Sequence, residues 1–579
     1  MKKTTQSKSK DDKVQVSSSK GRDVRTKSRN PKIGTRTRGS HGHSGKDRVE
    51  KEIDEGRSKP GANDASEFRG SEQLINSAGS LPFATILGNQ SGSGIQTVPG
   101  IMAIHFAPSP FSSNGNIANK AFQQIYSYIV HANSRNYKYE YTDLAMYMLA
   151  GVDIFVAIAE AIRAYGTIKT YKEQNHYLAD DLVRAEGFDP QSLRANLANM
   201  WFDINNLIMQ TRQIWIPNVL PLLQRWIRMA STIYTDATGD RSQIYVYRRF
   251  MFYQLNETGS TQGTMLERAW FQRNAGTDQT PGYAQFASAY GVLGEYTWPQ
   301  FRSMIQHMIN QMIASQDRGM IFGDILKAYG TDKIYAMPEV SVDYMVSLEY
   351  NAEVLTQIEN ITICNTVPTF IGQTQDPEPR IIEAYQTNRK TDDSSLKGAM
   401  PDHQILNFHV PSQPSPDMVA VATRLKSGSL ANVNSWISSG VTTDPANGRT
   451  TAATFGEGLN FINPVHGTEM PVAVLIWAKS EGAAKGVTSF DLDILTDSLT
   501  SATDVNYPAV YLQLMAFDWH PFIYVVISSG DDLDTQGAAL TDFDSAYGDY
   551  DNWITLSDLE LQKLNDACLY GLLGIPQMG

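Results

Sequence analysis

Leu144–Ile162 reads LAMYMLAGVDIFVAIAEAI, with Asp153 near its middle and Glu160 near its end. Its length and apolarity would let it cross a bilayer. A carboxylate at mid-bilayer costs roughly 2.5–3.5 kcal/mol or more. In a globular core the same group is tolerated once it finds a cation and hydrogen bonds. The buried core helix is therefore the better reading, and it makes the surrounding chain a large α-rich domain. Thr142 reads as its N-cap, with Asp143 in the first turn.

The flanking sequence supports this. NIANKAFQQIYSYIVHAN, from Asn116, sets Ile117, Phe122, Ile125, Tyr126 and Ile129 broadly on one side at helical period. DPQSLRANLANMWFDINNLIMQTRQIWI, from Asp189, has Pro190 at an early helical position. Its stripe of Leu193, Leu197, Met200, Trp201, Ile204, Leu207 and Ile208 is wide enough to face a core. QFRSMIQHMINQMIAS, from Gln300, gives another helix whose methionines fill core gaps. Between Ser71 and Gly115 the chain is rich in Gly, Ser and Pro but contains LPFATIL and IMAIHFAPSPF. That reads as an extended arm packed on something, a neighbouring subunit being one option.

After about residue 365 the texture changes, with Gly, Ser, Thr, Asn and Pro frequent. Short runs of β character appear: MVAVATRL from Met418, VAVLIWA from Val472, FDLDIL from Phe490, AVYLQLMAF from Ala509 and FIYVVIS from Phe522. Pro521 separates the last two into distinct strands. The end turns helical again in SDLELQKLNDACLYGLLG, where Ser557 and Glu560 form a capping-box pattern. Leu561, Leu564, Cys568 and Leu572 are expected to share that helix's buried face.

Charge divides the chain in two. Residues 1–40 hold thirteen Lys and Arg against three Asp, a net of +10, while the whole chain is −12 and the remainder therefore −22. The first fifty residues hold no aromatic and no Leu, so they cannot bury enough apolar surface to offset the entropy of ordering. A disordered basic arm with its own partner is expected. Lys2, Lys3, Lys8, Lys10, Lys13, Lys20, Arg22, Arg25, Lys27, Arg29, Lys32, Arg36 and Arg38 are its candidate polyphosphate-binding residues. Lysine and arginine at this density bind RNA by counterion release. Without stacking aromatics or an ordered helix they do not read sequence. The segment has no apolar h-region, so it is not read as a secretory signal.

Catalytic signatures are sparse. The chain lacks a P-loop, a full dinucleotide fingerprint, HExxH, GxSxG and paired-cysteine spacing. Its two cysteines, Cys364 and Cys568, lie 204 positions apart. His41 and His43 read as solvated. Asp518 and His520 in FDWHP would suit an acid–base couple, but a structural turn histidine is the preferred reading. The acidic run from Asp531 lacks the EF-hand core and reads as a solvated loop. Asn89, Asn256 and Asn360 sit in Asn-x-Ser/Thr sequons, which carry little weight without a secretory signal. No cofactor and no metal are expected. One self-reaction remains open: in flexible GANDAS, the side-chain nitrogen of Asn63 can attack its own following peptide link and split the chain.

AIRAYGTIKTYKEQNHYLADDLVRAEGFDPQSLRANL, 161–197, resembles the helical core of picobirnavirus capsid proteins. So does YTDATGDRSQIYVY, 234–247, and more specifically GDILKAYGTDKIYAMPEVSVDYMVSLEYNAEVLTQIEN, 323–360. FDWHP and the final helix extend the likeness into the second half. The resemblance implies a coat protein of a double-stranded RNA virus that assembles as dimers into an icosahedral shell, with an inward-facing N-terminal segment. It also implies autoproteolytic trimming near that end, which draws attention to 45–70. The viral polymerase inside the shell is an implied partner. Residence in the virion, and in the host cytoplasm during assembly, follows from the same likeness.

The expected fold is α+β. A disordered basic arm (1–65) precedes a mainly helical shell domain with an extended N-terminal segment (66–365). A β-rich projecting domain (366–550) follows, then a C-terminal helix (551–579) packing back on the shell domain. Two other readings stand beside the self-assembling container. One is a nucleic-acid-binding regulatory protein of low oligomeric state; the other is an enzyme with a localisation tail.

Overall fold

The apolar run lies inside a 30-residue helix, Tyr141–Thr170, buried on nearly every side. By length and composition it would cross a membrane, yet 94% of its apolar window is enclosed by the rest of the protein. A helix that is apolar all round has to be packed all round. The computed structural model describes residues 90–574 apart from intervening stretches, the longest at 282–294, 388–402, 491–513 and 529–539. Ala84–Gly579 form one compact unit.

The principal helices are α1 (Asn116–Asn133), α2 (Tyr141–Thr170), α3 (His176–Ala185), α4 (Leu197–Thr211), α5 (Pro221–Ser231), α6 (Trp298–Ala314), α7 (Arg318–Tyr329) and α8 (Asp558–Leu573). Helix α2 is the axis against which α1, α3, α4, α5 and α6 pack. The α6 stripe Met304, Ile305, Met308, Ile309 and Met312 is buried in the shared core.

Two six-stranded sheets complete the frame. In chain order their strands are β1 (Ile101–Pro108), β2 (Ile233–Thr235), β3 (Ile244–Arg249), β4 (Tyr253–Asn256), β5 (Met265–Arg268), β6 (Leu348–Tyr350), β7 (Thr366–Thr374), β8 (Arg380–Thr387), β9 (Ser435–Thr443), β10 (Thr450–Gly458), β11 (Glu469–Trp477) and β12 (Val487–Phe490). The first sheet runs β6-β2-β3-β1-β11-β12 and the second β10-β9-β8-β7-β5-β4. Strand β1 pairs parallel with β3 from Ile101↔Ile244 to Phe106↔Arg249, and antiparallel with β11. Each sheet therefore joins strands from before and after residue 365.

Several local readings change. IMAIHFAP is an interior strand of the chain's own sheet, buried at all eight positions, not an arm laid on a neighbour. A strand covered on both faces carries a continuous apolar run, which is what this segment has. MVAVATRL is helical: Ser415 caps a helix at Pro416–Ala422, with Pro416 in its first turn, and a 3-10 turn follows at Thr423–Leu425. The stop-start signal Ser-Pro-Asp just upstream outweighed the β-branched residues. Thr142 is not the cap of α2, which begins at Tyr141; its hydroxyl donates instead to Gln373 Oε1 at 2.6 Å. Ser557 and Glu560 do form a capping box on α8. The buried face of α8 is Leu561, Asn565, Leu569 and Leu573, rotated from the expected set, and it meets α1 and α5. FIYVVIS forms a strand, Ile523–Ser528, paired with Leu540–Tyr547. AVYLQLMAF and FDLDIL fall largely outside the described residues.

Candidate functional site

The densest chemistry sits where α2 meets β3. Asp153 accepts from Arg249 Nη2 at 3.2 Å and from the Tyr253 amide at 2.7 Å, and Glu160 accepts from the Arg249 amide at 2.9 Å. The Arg249 guanidinium also lies 4.1 Å from the centroid of the Trp226 ring. One turn on, Arg163 pairs with Glu186 at 3.2 Å, and Thr167 donates to the same carboxylate at 2.9 Å. Burial pushes Asp153 up to about 6 and Glu186 up to about 7, against the pull of Arg249 and Arg163 respectively. Gly187, at φ 95°, leaves room for the Arg248 guanidinium, whose Cζ a Cβ would approach to 2.1 Å.

Glu469, at the start of β11, joins this network from the far half of the chain. Its carboxylate accepts from Arg225 at 3.0 and 3.1 Å, Arg424 at 3.2 Å and Trp226 Nε1 at 2.7 Å. Burial alone would raise its pKa, but the two guanidiniums outweigh that and hold it at about 2. These groups neutralise one another, and the arrangement serves as a clamp between α2, α5 and the first sheet.

Among the described residues, Ser109, Glu383 and His466 form a buried arrangement that resembles a nucleophile–base pair. Ser109 Oγ donates to Glu383 Oε2 at 2.8 Å and lies 3.3 Å from His466 Nε2, while His466 Nδ1 faces the Gly467 carbonyl at 2.7 Å. Burial holds the imidazole neutral down to about 4. All three side chains are buried, so the hydroxyl does not face solvent. The trio pins three distant segments together, and no motif in the sequence announces it.

Asp518 and His520 do not pair. His520 Nε2 lies 3.5 Å from Asp549, and the Asp518 backbone amide donates to Gln243. Nearby, His409 bridges Glu359 at 3.1 Å and Asp551 at 2.8 Å beside the Trp519 ring. The Glu359 carboxylate raises its pKa. Asn256 and Asn360, both in glycosylation sequons, are fully buried and hydrogen-bonded, so neither is a glycan acceptor in the folded chain. Among the described residues no group of His, Cys, Asp and Glu is arranged to hold a metal. A groove of about 450 Å³ opens between α5 and the 335–349 segment, lined by Asn218, Gln224, Arg228 and Glu349. The basic residues from Lys2 to Arg38, His41, His43 and Asn63 lie outside the described residues.

The family model for the picobirnavirus capsid protein matches residues 85–530, most of the chain. This chain belongs to the picobirnavirus capsid protein family. It is 24% identical over 570 residues to the capsid protein precursor of a human picobirnavirus, strain Human/Thailand/Hy005102, covering 92% of this chain and 94% of that one. Its fold is similar to that in a crystal structure of the picobirnavirus capsid, with a TM-score of 0.61 at 19% identity over 87% of this chain and 97% of that one. As a capsid-family protein it is structural material of a virion and associates with copies of itself into a shell. The clamp fits that role: a wall needs a rigid unit, and buried ion pairs joining distant segments make one.

Proposed function

We propose that the chain assembles as dimers into an icosahedral shell around a double-stranded RNA genome, its cationic N-terminal segment tethering RNA without reading sequence. The observation that carries this is charge segregation: +10 within residues 1–40 against −22 over the rest, in a capsid-family chain. The rest of the chain repels phosphate, so RNA contact falls to that segment. Each phosphate neutralised by a Lys or Arg releases a counterion. Were the shell built of sixty dimers, its segments would supply about 1,200 net charges. The coding length of this chain alone, as duplex, carries roughly 3,500 phosphates, so mobile cations balance most of the genome and it is held loosely enough to pass an enclosed polymerase.

Deleting residues 1–40 tests the tether. Shells should still form, with packaged, nuclease-protected RNA reduced; undiminished RNA overturns the role. We further read the chain as building material and not an enzyme, with one self-reaction, trimming within 45–70, for which Asn63 is the chemical candidate. Intact-mass measurement of purified particles checks this, and a chain uniformly beginning at Met1 would refute trimming.

A further inference from the structure

Residues 331–351 have little regular structure, yet their backbone is tied down along its length. The Tyr335 amide donates to Ile216 O at 2.8 Å. The Val340 amide donates to Asn205 Oδ1 at 2.9 Å, and its carbonyl accepts from Trp201 Nε1 at 2.9 Å. The Val342 and Val346 carbonyls accept from Tyr165 and Thr170 of α2 at 2.8 and 3.1 Å. Met337, Val340 and Val346 turn inward, while Val342, Met345, Leu348 and Tyr350 turn outward and are exposed. This strap then becomes β6, the edge strand of the first sheet.

Helix α4, which holds the strap through Trp201 and Asn205, has a solvent face of the same character. Its exposed positions are Ala198, Asn199, Phe202, Asn206 and Met209, none of them charged. A surface helix ordinarily carries its charges there. Six of the ten large apolar side chains exposed among the described residues are on α4 or the strap, with Phe202 66% and Met345 56% exposed. The strap's backbone is already hydrogen-bonded within the single chain, which lowers the ordering cost of binding.

We infer that the strap and the outer face of α4 form a contact between copies of this chain in the shell. The inference rests on the capsid reading, which requires copies to meet. A second copy fits better than RNA, because the arginines on this surface already face carboxylates of the same surface, Arg212 with Glu339, Arg228 with Glu349 and Arg302 with Asp203, which leaves no cationic track for phosphate. Depletion of charge around aromatic and methionine anchors is the composition of an interface core. Helix α4, at 15 residues, is about 22 Å long, comparable to the reach of a standard interface of ~800 Å² per partner.

The test compares particle yield, by sedimentation and electron microscopy, for the full chain and for Phe202→Asp, Met345→Glu and, as a control on a different exposed surface, Trp553→Ala. Both interface variants should lower yield at least tenfold with an unchanged melting temperature, and the control should assemble as the wild type. Hydroxyl-radical labelling of Phe202 and Met345 in wild-type particles, which needs no variant, should fall at least threefold relative to free subunits. Normal assembly of both variants, or undiminished labelling, overturns the interface while leaving the capsid reading intact. A wild-type chain that stays monomeric under all assembly conditions overturns that reading and the interface with it.

Discussion

Arg249 of β3 reaches Asp153 of α2 across 3.2 Å, with both side chains at most 1% exposed. That contact turns the one acid at the centre of an apolar helix from a liability into the peg that fixes the helix on the first sheet. Asp153 also accepts the Tyr253 amide, so the same carboxylate orders the turn between β3 and β4.

Glu469→Gln should be severely destabilising. It leaves the partly buried Arg225 and Arg424 guanidiniums, 18% and 10% exposed, without their shared counter-charge, and removing one partner of a fully buried ionic set costs about 3–5 kcal/mol, which is the upper limit here. Urea denaturation of the variant against the wild type measures it; a loss below about 1 kcal/mol would mean the clamp adds little to stability.

Gly166→Ala should loosen the strap. An added Cβ would stand 2.6 Å from Tyr344 Cε1 and 2.8 Å from the Val346 amide, and the latter is backbone that cannot swing aside. Overpacking of this kind costs about 1–3 kcal/mol. Limited proteolysis should show faster cutting within 336–350, alongside a lower melting temperature.

Two histidines should give opposite pH slopes. The His409 pKa is raised in the folded chain by Glu359, with Asp551 and Asp518 adding to it. The native state then binds the extra proton, so this contribution is full below about pH 6.5, the unfolded value, and is lost as pH rises through the folded one. His466 is held neutral to about 4, so acidification from about pH 6.5 towards 4 favours the unfolded chain, which alone takes up the proton. Stability measured against pH should lose part of its decline above about pH 6.5 in His409→Gln and part of its acid decline in His466→Gln.

Ser557→Ala should cost about 1 kcal/mol. The Ser557 hydroxyl accepts the Glu560 amide, and the Glu560 carboxylate accepts the Ser557 amide at 3.0 Å. Far-ultraviolet dichroism and thermal melting check the loss. An unchanged melting temperature would place α8 outside the cooperative unit.

Much of the frame was legible from local chemistry. Helical periodicity marked α1, α4 and α6, and the capping box located the start of α8, because these signals lie within a few residues of one another. The failures were non-local in cause. Thr142 looks like a cap but its hydroxyl is claimed by Gln373, 231 residues away. The burial face of α8 depends on how the helix is rotated against α1 and α5, which its own leucines do not specify. Ser109, Glu383 and His466 have no spacing that could have been recognised.

By itself the sequence determined that residues 1–40 are a polycation unable to bury a core and that Leu144–Ile162 must be enclosed. Those follow from composition and short-range pattern, which a chain carries before it folds. Only the tertiary structure decided which cation meets Asp153, that strands from both halves share each sheet, and that the 331–351 strap turns apolar side chains outward. Pairing of charges, registers and faces is a choice among distant partners. It is made by the geometry of packing, in which one arrangement satisfies the buried polar groups while covering the apolar ones.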